Sequence, residues 1–156
     1  MKQILRKIKN IFLWFRIIWD DCQYDYQYLF KILEFKLSLM EEFYSSDKVY
    51  GVNAWKIADQ IHKTRLVMKR IMADNYFENV FLYHDRKWGG IEIEEKALSN
   101  DCYGINIKRK NVRTDKDAEM ERKEYKVLSK REEELREQDL KYVFNNLRKY
   151  ANTWWD

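Results

Sequence analysis

The chain has 156 residues, a length that fits one domain with a real hydrophobic core. Proline is absent and only four glycines occur, so almost nothing interrupts a helix; proline would remove a backbone donor and clash with the preceding turn. Charged residues are 36% of the chain yet nearly cancel to +4, an excess that permits an anionic partner and is low for a protein built to coat nucleic acid.

Residues 2–19 place Ile4, Ile8, Ile11, Phe15 and Ile18 at steps of four and three, with Leu5, Phe12 and Trp19 in a second row beside them. The pattern predicts an amphipathic helix with a wide apolar stripe and a basic opposite face carrying Lys2, Arg6, Lys7 and Lys9. Packing on the domain core is the plain reading. A helix lying on anionic lipid, or one docked on another protein, carries the same pattern. A signal peptide is not expected, because Arg16 interrupts the short uncharged run from Asn10 to Phe15 and no small-residue cleavage site follows. A membrane span needs about 20 apolar residues, so no stable transmembrane insertion is expected.

Residues 26–73 predict a central helical hairpin. Asp25 is placed to cap its first helix. Along 26–44, Tyr26, Leu29 with Phe30, Leu33, Leu37, Met40 and Tyr44 line one face, and Tyr28, Ile32, Phe35, Leu39 and Phe43 another, as in a helix covered from two sides. After a polar connection at 45–53, Ile57, Ile61, Thr64, Met68 and Ile71 again step by four and three. Lys56, Lys63, Arg65, Lys69 and Arg70 make this helix basic, either as a solvated face or as a wall for an anion.

Residues 74–113 read as an irregular or β excursion. Val80–Tyr83, Ile91–Ile93 and Tyr103–Ile107 are short strand-like runs, and Ile91–Glu95 is expected to pair with Tyr103–Arg109. Two strands alone are marginal in water and must lean on the helices. Thr114 and Asp115 are N-cap candidates for a long helical region over 114–156. It is dominated by charge up to Asp139, then regains a stripe of Leu140, Phe144, Leu147, Ala151 and Trp154. With no glycine or proline inside it, one helix and two helices are equally allowed. Chain ends fray unless they are held, so Trp154 and Trp155 are expected to close the core or an interface. The whole, 1–156, is predicted as a single helical domain of the mainly α class: a bundle of three to five long helices with a small β-hairpin excursion in the middle.

No catalytic signature stands out. There is no nucleophile elbow, phosphate loop or zinc-ligand set, and Cys22 and Cys102 lack metal spacing and are expected to be reduced, as in an intracellular protein. No enzyme activity, metal or cofactor is expected. Binding fits better. Arg65, Lys69 and Arg86 offer cations, Tyr76 and Trp88 offer flat rings, and His84 offers a hydrogen-bond partner, the combination that stacks a base and clamps a phosphate. Lys108-Arg109-Lys110 with Arg113 is a short basic cluster that acidic residues from Asp115 cut off, a weak signal for nucleic acid.

Several blocks carry a resemblance: Tyr26-Gln27-Tyr28-Leu29-Phe30-Lys31-Ile32-Leu33-Glu34-Phe35-Lys36-Leu37, His84-Asp85-Arg86-Lys87-Trp88-Gly89, Lys123-Glu124, Gln138-Asp139-Leu140-Lys141-Tyr142-Val143-Phe144 and Trp154-Trp155-Asp156. In this order, across nearly the whole chain, the sequence resembles an uncharacterised family of small helical proteins of tailed bacteriophages. It departs at Tyr150, where the family pattern has histidine. The resemblance implies a viral protein in the host bacterial cytoplasm and brings no activity with it. The expectation is a non-enzymatic phage accessory protein, a homo-oligomer that binds a small anionic nucleotide ligand and so sequesters a host immune signal as counter-defence. The alternatives are a protein-docking module that inhibits a host enzyme, with the first helix and terminal indoles as anchors, and a weak nucleic-acid-binding protein.

Overall fold

Scarcity of helix breakers translates directly into five helices among the described residues: α1 (Lys2–Ile18), α2 (Gln27–Tyr44), α3 (Ala54–Ala73), α4 (Tyr76–Trp88) and α5 (Asp115–Tyr150). Strands β1 (Ile91–Ser99) and β2 (Cys102–Arg109) form the small hairpin between α4 and α5, and a short 3-10 turn (Ala151–Trp155) follows α5. The computed structural model describes residues 2–19, 25–47, 49, 51, 53–99 and 102–155. The expectation for Cys22 lies outside the described residues, as do those for the side chains of Cys102 and Trp155.

The mainly helical class and the central hairpin are as the sequence predicts. β1 and β2 pair antiparallel with Glu92 opposite Lys108, Ile93 opposite Ile107 and Glu95 opposite Ile105, so the expected pairing of Ile91–Glu95 with the strand ending at Arg109 holds. The excursion is shorter than 74–113, however. Val80–Tyr83 belong to α4, whose buried residues Tyr76, Phe81, His84 and Trp88 recur at helical rather than alternating spacing. A run of β-branched and aromatic residues suits a half-buried strand or a half-buried helix face, and tertiary packing decides which. The helix stops at Gly89, whose φ of 76° is the left-handed region that favours glycine.

α5 is one helix over Asp115–Tyr150, which settles the choice between one helix and two for that stretch. Its start is a capping box: Thr114 Oγ1 accepts from the Asp117 N–H at 3.1 Å, and Asp117 Oδ2 accepts from the Thr114 N–H at 3.0 Å. The side-chain and backbone hydrogen bonds with Thr114 hold the Asp117 carboxyl below the usual aspartate range. Along the charge-rich stretch, Lys123–Glu119 and Arg136–Glu132 pair one turn apart at 2.6 Å, each worth a few tenths of a kcal/mol.

The chain forms two compact units, Met1–Asp74 with Asp139–Asp156, and Asn75–Gln138, with α5 passing from the second into the first. In the first unit, Phe30 and Leu37 of α2, Ile61, Met68 and Ile71 of α3, and Val143 of α5 make one core with Trp154. Trp154 is 1% exposed and its indole N–H donates to Gln60 Oε1 at 3.3 Å. Buried Thr64 donates to the Gln60 carbonyl at 2.9 Å and accepts from Asn146 Nδ2 at 3.2 Å, which joins α3 to α5. Buried Asp139 is held by the guanidinium of Arg70. The second unit has an aromatic core in which Phe81 stacks on Phe77, with centroids 4.1 Å apart, and lies edge-on to His84.

Candidate functional site

α1 is the part of the first unit whose sequence and surroundings disagree most. At about 100° per residue, Ile18, Ile11, Ile4, Phe15, Ile8, Trp19, Phe12 and Leu5 fill one continuous sector of about 140°. All eight are exposed, Phe12 to 72% and Ile11 to 65%. On the other side lies a sparser second strip of Leu13, Trp14 and Ile17, set among the cations. That strip makes the contact: Trp14 and Ile17 are half-buried, and the Trp14 ring meets Phe35 of α2 edge-on at 5.1 Å. The reading of α1 as a helix with its main stripe on the core is therefore corrected. α2 turns Phe30 and Leu37 into the core shared with α3 and α5, and its Phe35 meets the Trp14 ring. The wide stripe faces away from α2.

The charge on α1 has one sign. Lys2, Arg6, Lys7, Lys9 and Arg16 are its charged residues, and it holds no aspartate or glutamate. On the helix projection Lys7 borders the stripe on one edge, and Arg16 and Lys9 border it on the other. Long cationic side chains in these positions can lie along an apolar surface and keep their charged ends in water.

The six side chains expected to take an anion divide between the units. Arg65 and Lys69 lie on α3 in the first unit, and both meet Glu34 of α2. Arg65 donates to Glu34 Oε1 through Nη2 at 2.6 Å and Nε at 3.0 Å, and to Glu41 Oε2 through Nη1 at 2.6 Å. Glu41 also contacts His62 Nδ1 at 2.8 Å. Burial pushes the Glu41 carboxyl up, but the hydrogen bonds from Arg65 and His62 outweigh it and leave it below the usual glutamate range. The net for Arg65 is an ion pair that keeps it charged, burial again being outweighed by Glu34 and Glu41. An incoming phosphate would have to displace two carboxylates.

Tyr76, His84, Arg86 and Trp88 lie on α4 in the second unit. Tyr76 is buried beneath the guanidinium of Arg136, 5.1 Å from the ring centre. Trp88 is buried and donates its indole N–H to Glu124 at 2.7 Å, while the Lys87 ammonium sits 4.6 Å above its ring and pairs with the same carboxylate. His84 is 1% exposed; its Nε2 has no hydrogen bond and lies 3.5 Å from Glu121 Oε1, and its Nδ1 is 3.5 Å from Arg109 Nη2. Arg109 in turn donates to Asp85 at 2.6 Å and to the Gly89 carbonyl at 3.1 Å. Arg86 is exposed. Trp88 and His84 thus share one face of α4 against Glu124 and Glu121 of α5, where their rings fill the unit's core and offer no open stacking surface.

Residues the sequence reading did not place at a site are Trp14 and Ile17, which orient α1, and the carboxylates Glu34, Glu121 and Glu124, which hold the predicted cations and rings. A signal existed for the first pair: with Leu13 they are the apolar residues on the cationic side of the helix projection. None existed for the carboxylates, whose partners are distant in sequence; Arg65 and Glu34 are 31 positions apart. Among the described residues no group of three or more His, Cys, Asp or Glu is placed to hold a metal ion. No helix among them is long and apolar enough to cross a membrane. Compared with known protein families, characterised proteins and solved structures, the chain matches none, so what it does must be read from its own side chains.

Proposed function

We propose that this is a non-enzymatic accessory protein that attaches to the surface of an anionic membrane through α1. The observation that carries the reading is the apolar stripe of seven α1 residues and the adjoining Trp19, exposed on a helix already anchored by its other side. Fully burying a large apolar side chain contributes about 1.5–3 kcal/mol, so half-burying eight of them would release roughly 6–12 kcal/mol before ordering costs. Each Lys or Arg near an anionic surface adds about 1 kcal/mol. A helix that is amphipathic, cationic and free of acids lies in the interface with its apolar face in the acyl boundary and its cations among the headgroups. A protein groove that matched this stripe would also need acidic rims on both sides, a more demanding partner than a bilayer. The setting in a host bacterial cell, implied by the resemblance to phage proteins, belongs to the same proposal.

Co-sedimentation with vesicles tests it. The chain should bind phosphatidylcholine vesicles that contain phosphatidylglycerol, bind pure phosphatidylcholine at least tenfold more weakly, and lose affinity as salt screens the cations. Phe12→Glu, placed in the middle of the stripe and remote from Phe35, should abolish sedimentation with an unchanged far-UV spectrum. Failure of the wild-type chain to bind phosphatidylglycerol vesicles, or equal binding by the Phe12→Glu chain, would overturn the reading.

A further inference from the structure

A cavity of about 760 Å³ opens in the first unit where the start of α3, the connection that follows α2 and the last turns of the chain meet. Its volume is in the range of sites for small organic ligands. Tyr44, Ile57 and Tyr150 supply apolar and aromatic wall, and Gln60 lies among them. Two cations also line it, Lys56 from α3 and Lys149 from α5, and no described lining residue is acidic.

These two lysines differ from the other cations of α3. Lys63 pairs with Asp59, Arg65 with Glu34 and Glu41, Lys69 with Glu34, and Arg70 with Asp139. Lys56 and Lys149 have no carboxylate partner among the described residues and rest against rings instead. The Lys149 ammonium is 4.8 Å from the centre of Tyr150 and that of Lys56 is 5.6 Å from the centre of Trp55. α3 also begins without an acidic residue in its first turn and without a side-chain cap. The positive end of its dipole therefore adds to the two ammoniums. The backbone amides there are not the anion donors: those of Ala54, Lys56 and Ile57 already donate to the carbonyls of Gly51 and Asn53. The ammoniums must do that work. Gln60 spends its carbonyl oxygen on the Trp154 indole, which leaves its amide N–H₂ for a ligand.

We propose that this cavity is a binding site for a small phosphate-bearing ligand with a flat ring, its phosphate taken by Lys56 and Lys149 and its ring set against Tyr44 and Tyr150. The site is independent of the α1 stripe and lies elsewhere than the Arg65, Lys69, Arg86 and Trp88 set expected from sequence. Two cations on one cavity wall without a carboxylate partner favour a phosphate, because a charge-assisted hydrogen bond is made without breaking an existing pair. The docking of Trp154 gives the last turn of the chain its place beside the cavity.

Isothermal titration calorimetry on the full chain, with ADP, pyrophosphate and adenosine as probes, tests the assignment. ADP should bind with one-to-one stoichiometry, pyrophosphate more weakly, and adenosine at least about tenfold more weakly than ADP. Lys56→Gln and Lys149→Gln should each weaken ADP by about tenfold or more, whereas Lys69→Gln, on the same helix and paired with Glu34, should leave it unchanged. The Phe12→Glu chain should bind ADP as the wild type does, which separates this site from the membrane reading. Absence of binding by both ADP and pyrophosphate at millimolar concentration, adenosine binding as tightly as ADP, or indifference to both lysine substitutions would overturn the proposal.

Discussion

Trp154→Ala removes the side chain that ties the last turn of the chain to the core of the first unit. The indole is 1% exposed and belongs to the cluster of Phe30, Leu37, Ile61, Met68, Ile71 and Val143. Truncating a buried Trp to Ala costs about 3–5 kcal/mol through lost transfer energy and the cavity left behind. The hydrogen bond to Gln60 adds little beyond that, since half-buried Gln60 can turn to water. A loss of about 4 kcal/mol is a large share of the 5–15 kcal/mol by which domains of this size are held. Trp154→Phe, which keeps most of the apolar surface, should cost about 1–2 kcal/mol. Trp55→Ala, at a side chain 66% exposed, should stay within about 0.5 kcal/mol of wild type. Because the chain holds two units, a single unfolding transition cannot be assumed, and hydrogen exchange at the buried amides from Ile61 to Ile71 is the sharper assay. Exchange in Trp154→Ala that is slowed as fully as in Trp55→Ala would refute the argument that the end is docked.

Two further expectations concern the second unit. Gly89→Ala should destabilise it by about 1–3 kcal/mol, read by exchange in α4 and the hairpin with the first unit unchanged; the added Cβ would sit 3.0 Å from Lys110 Cβ at a φ of 76°. Retained protection in α4 would contradict this. The Glu124 carboxyl is held below the usual glutamate range by its hydrogen bonds from Lys87 and Trp88, against a smaller opposing effect of burial. A carboxyl whose native value is depressed contributes stability that is complete above its unfolded value of about 4.3 and is lost as pH falls through the lowered native value. The Trp88 indole N–H resonance should therefore move, and the second unit weaken, only below the ordinary glutamate range. The effect should vanish in Glu124→Gln; an unaltered acid profile in that variant would remove Glu124 as the cause.

Local physics made much of the fold readable in advance. The 3.6-residue spacing of Ile57, Ile61, Thr64, Met68 and Ile71 needs no partner to be recognised, and the N-cap at Thr114 and the alternation from Ile91 and from Tyr103 are equally local. α4 escaped because its short aromatic run, Val80–Tyr83, satisfies a strand pattern as well as a helical one until Tyr76 and Trp88 are seen on the same buried face. The stripe of α1 was legible too, but not what it covers. The helix has two apolar strips, and it is the contact of Trp14 with Phe35, between residues 21 positions apart, that shows which of them meets α2.

Sites were the least legible part, for a reason of distance. Sequence shows which residues carry charge, whereas tertiary approach decides which charges cancel. Arg65 looks like an anion clamp until α2 brings Glu34 and Glu41 against it, and Trp88 looks like a stacking platform until Glu124 takes its N–H. Lys56 and Lys149 look like ordinary solvated lysines until the docking of Trp154 brings the last turns of the chain beside α3. Composition and periodicity determined a helical protein with a cationic amphipathic first helix; tertiary structure alone decided which cations remain for a partner, because pairing is set by contacts between residues far apart in the chain.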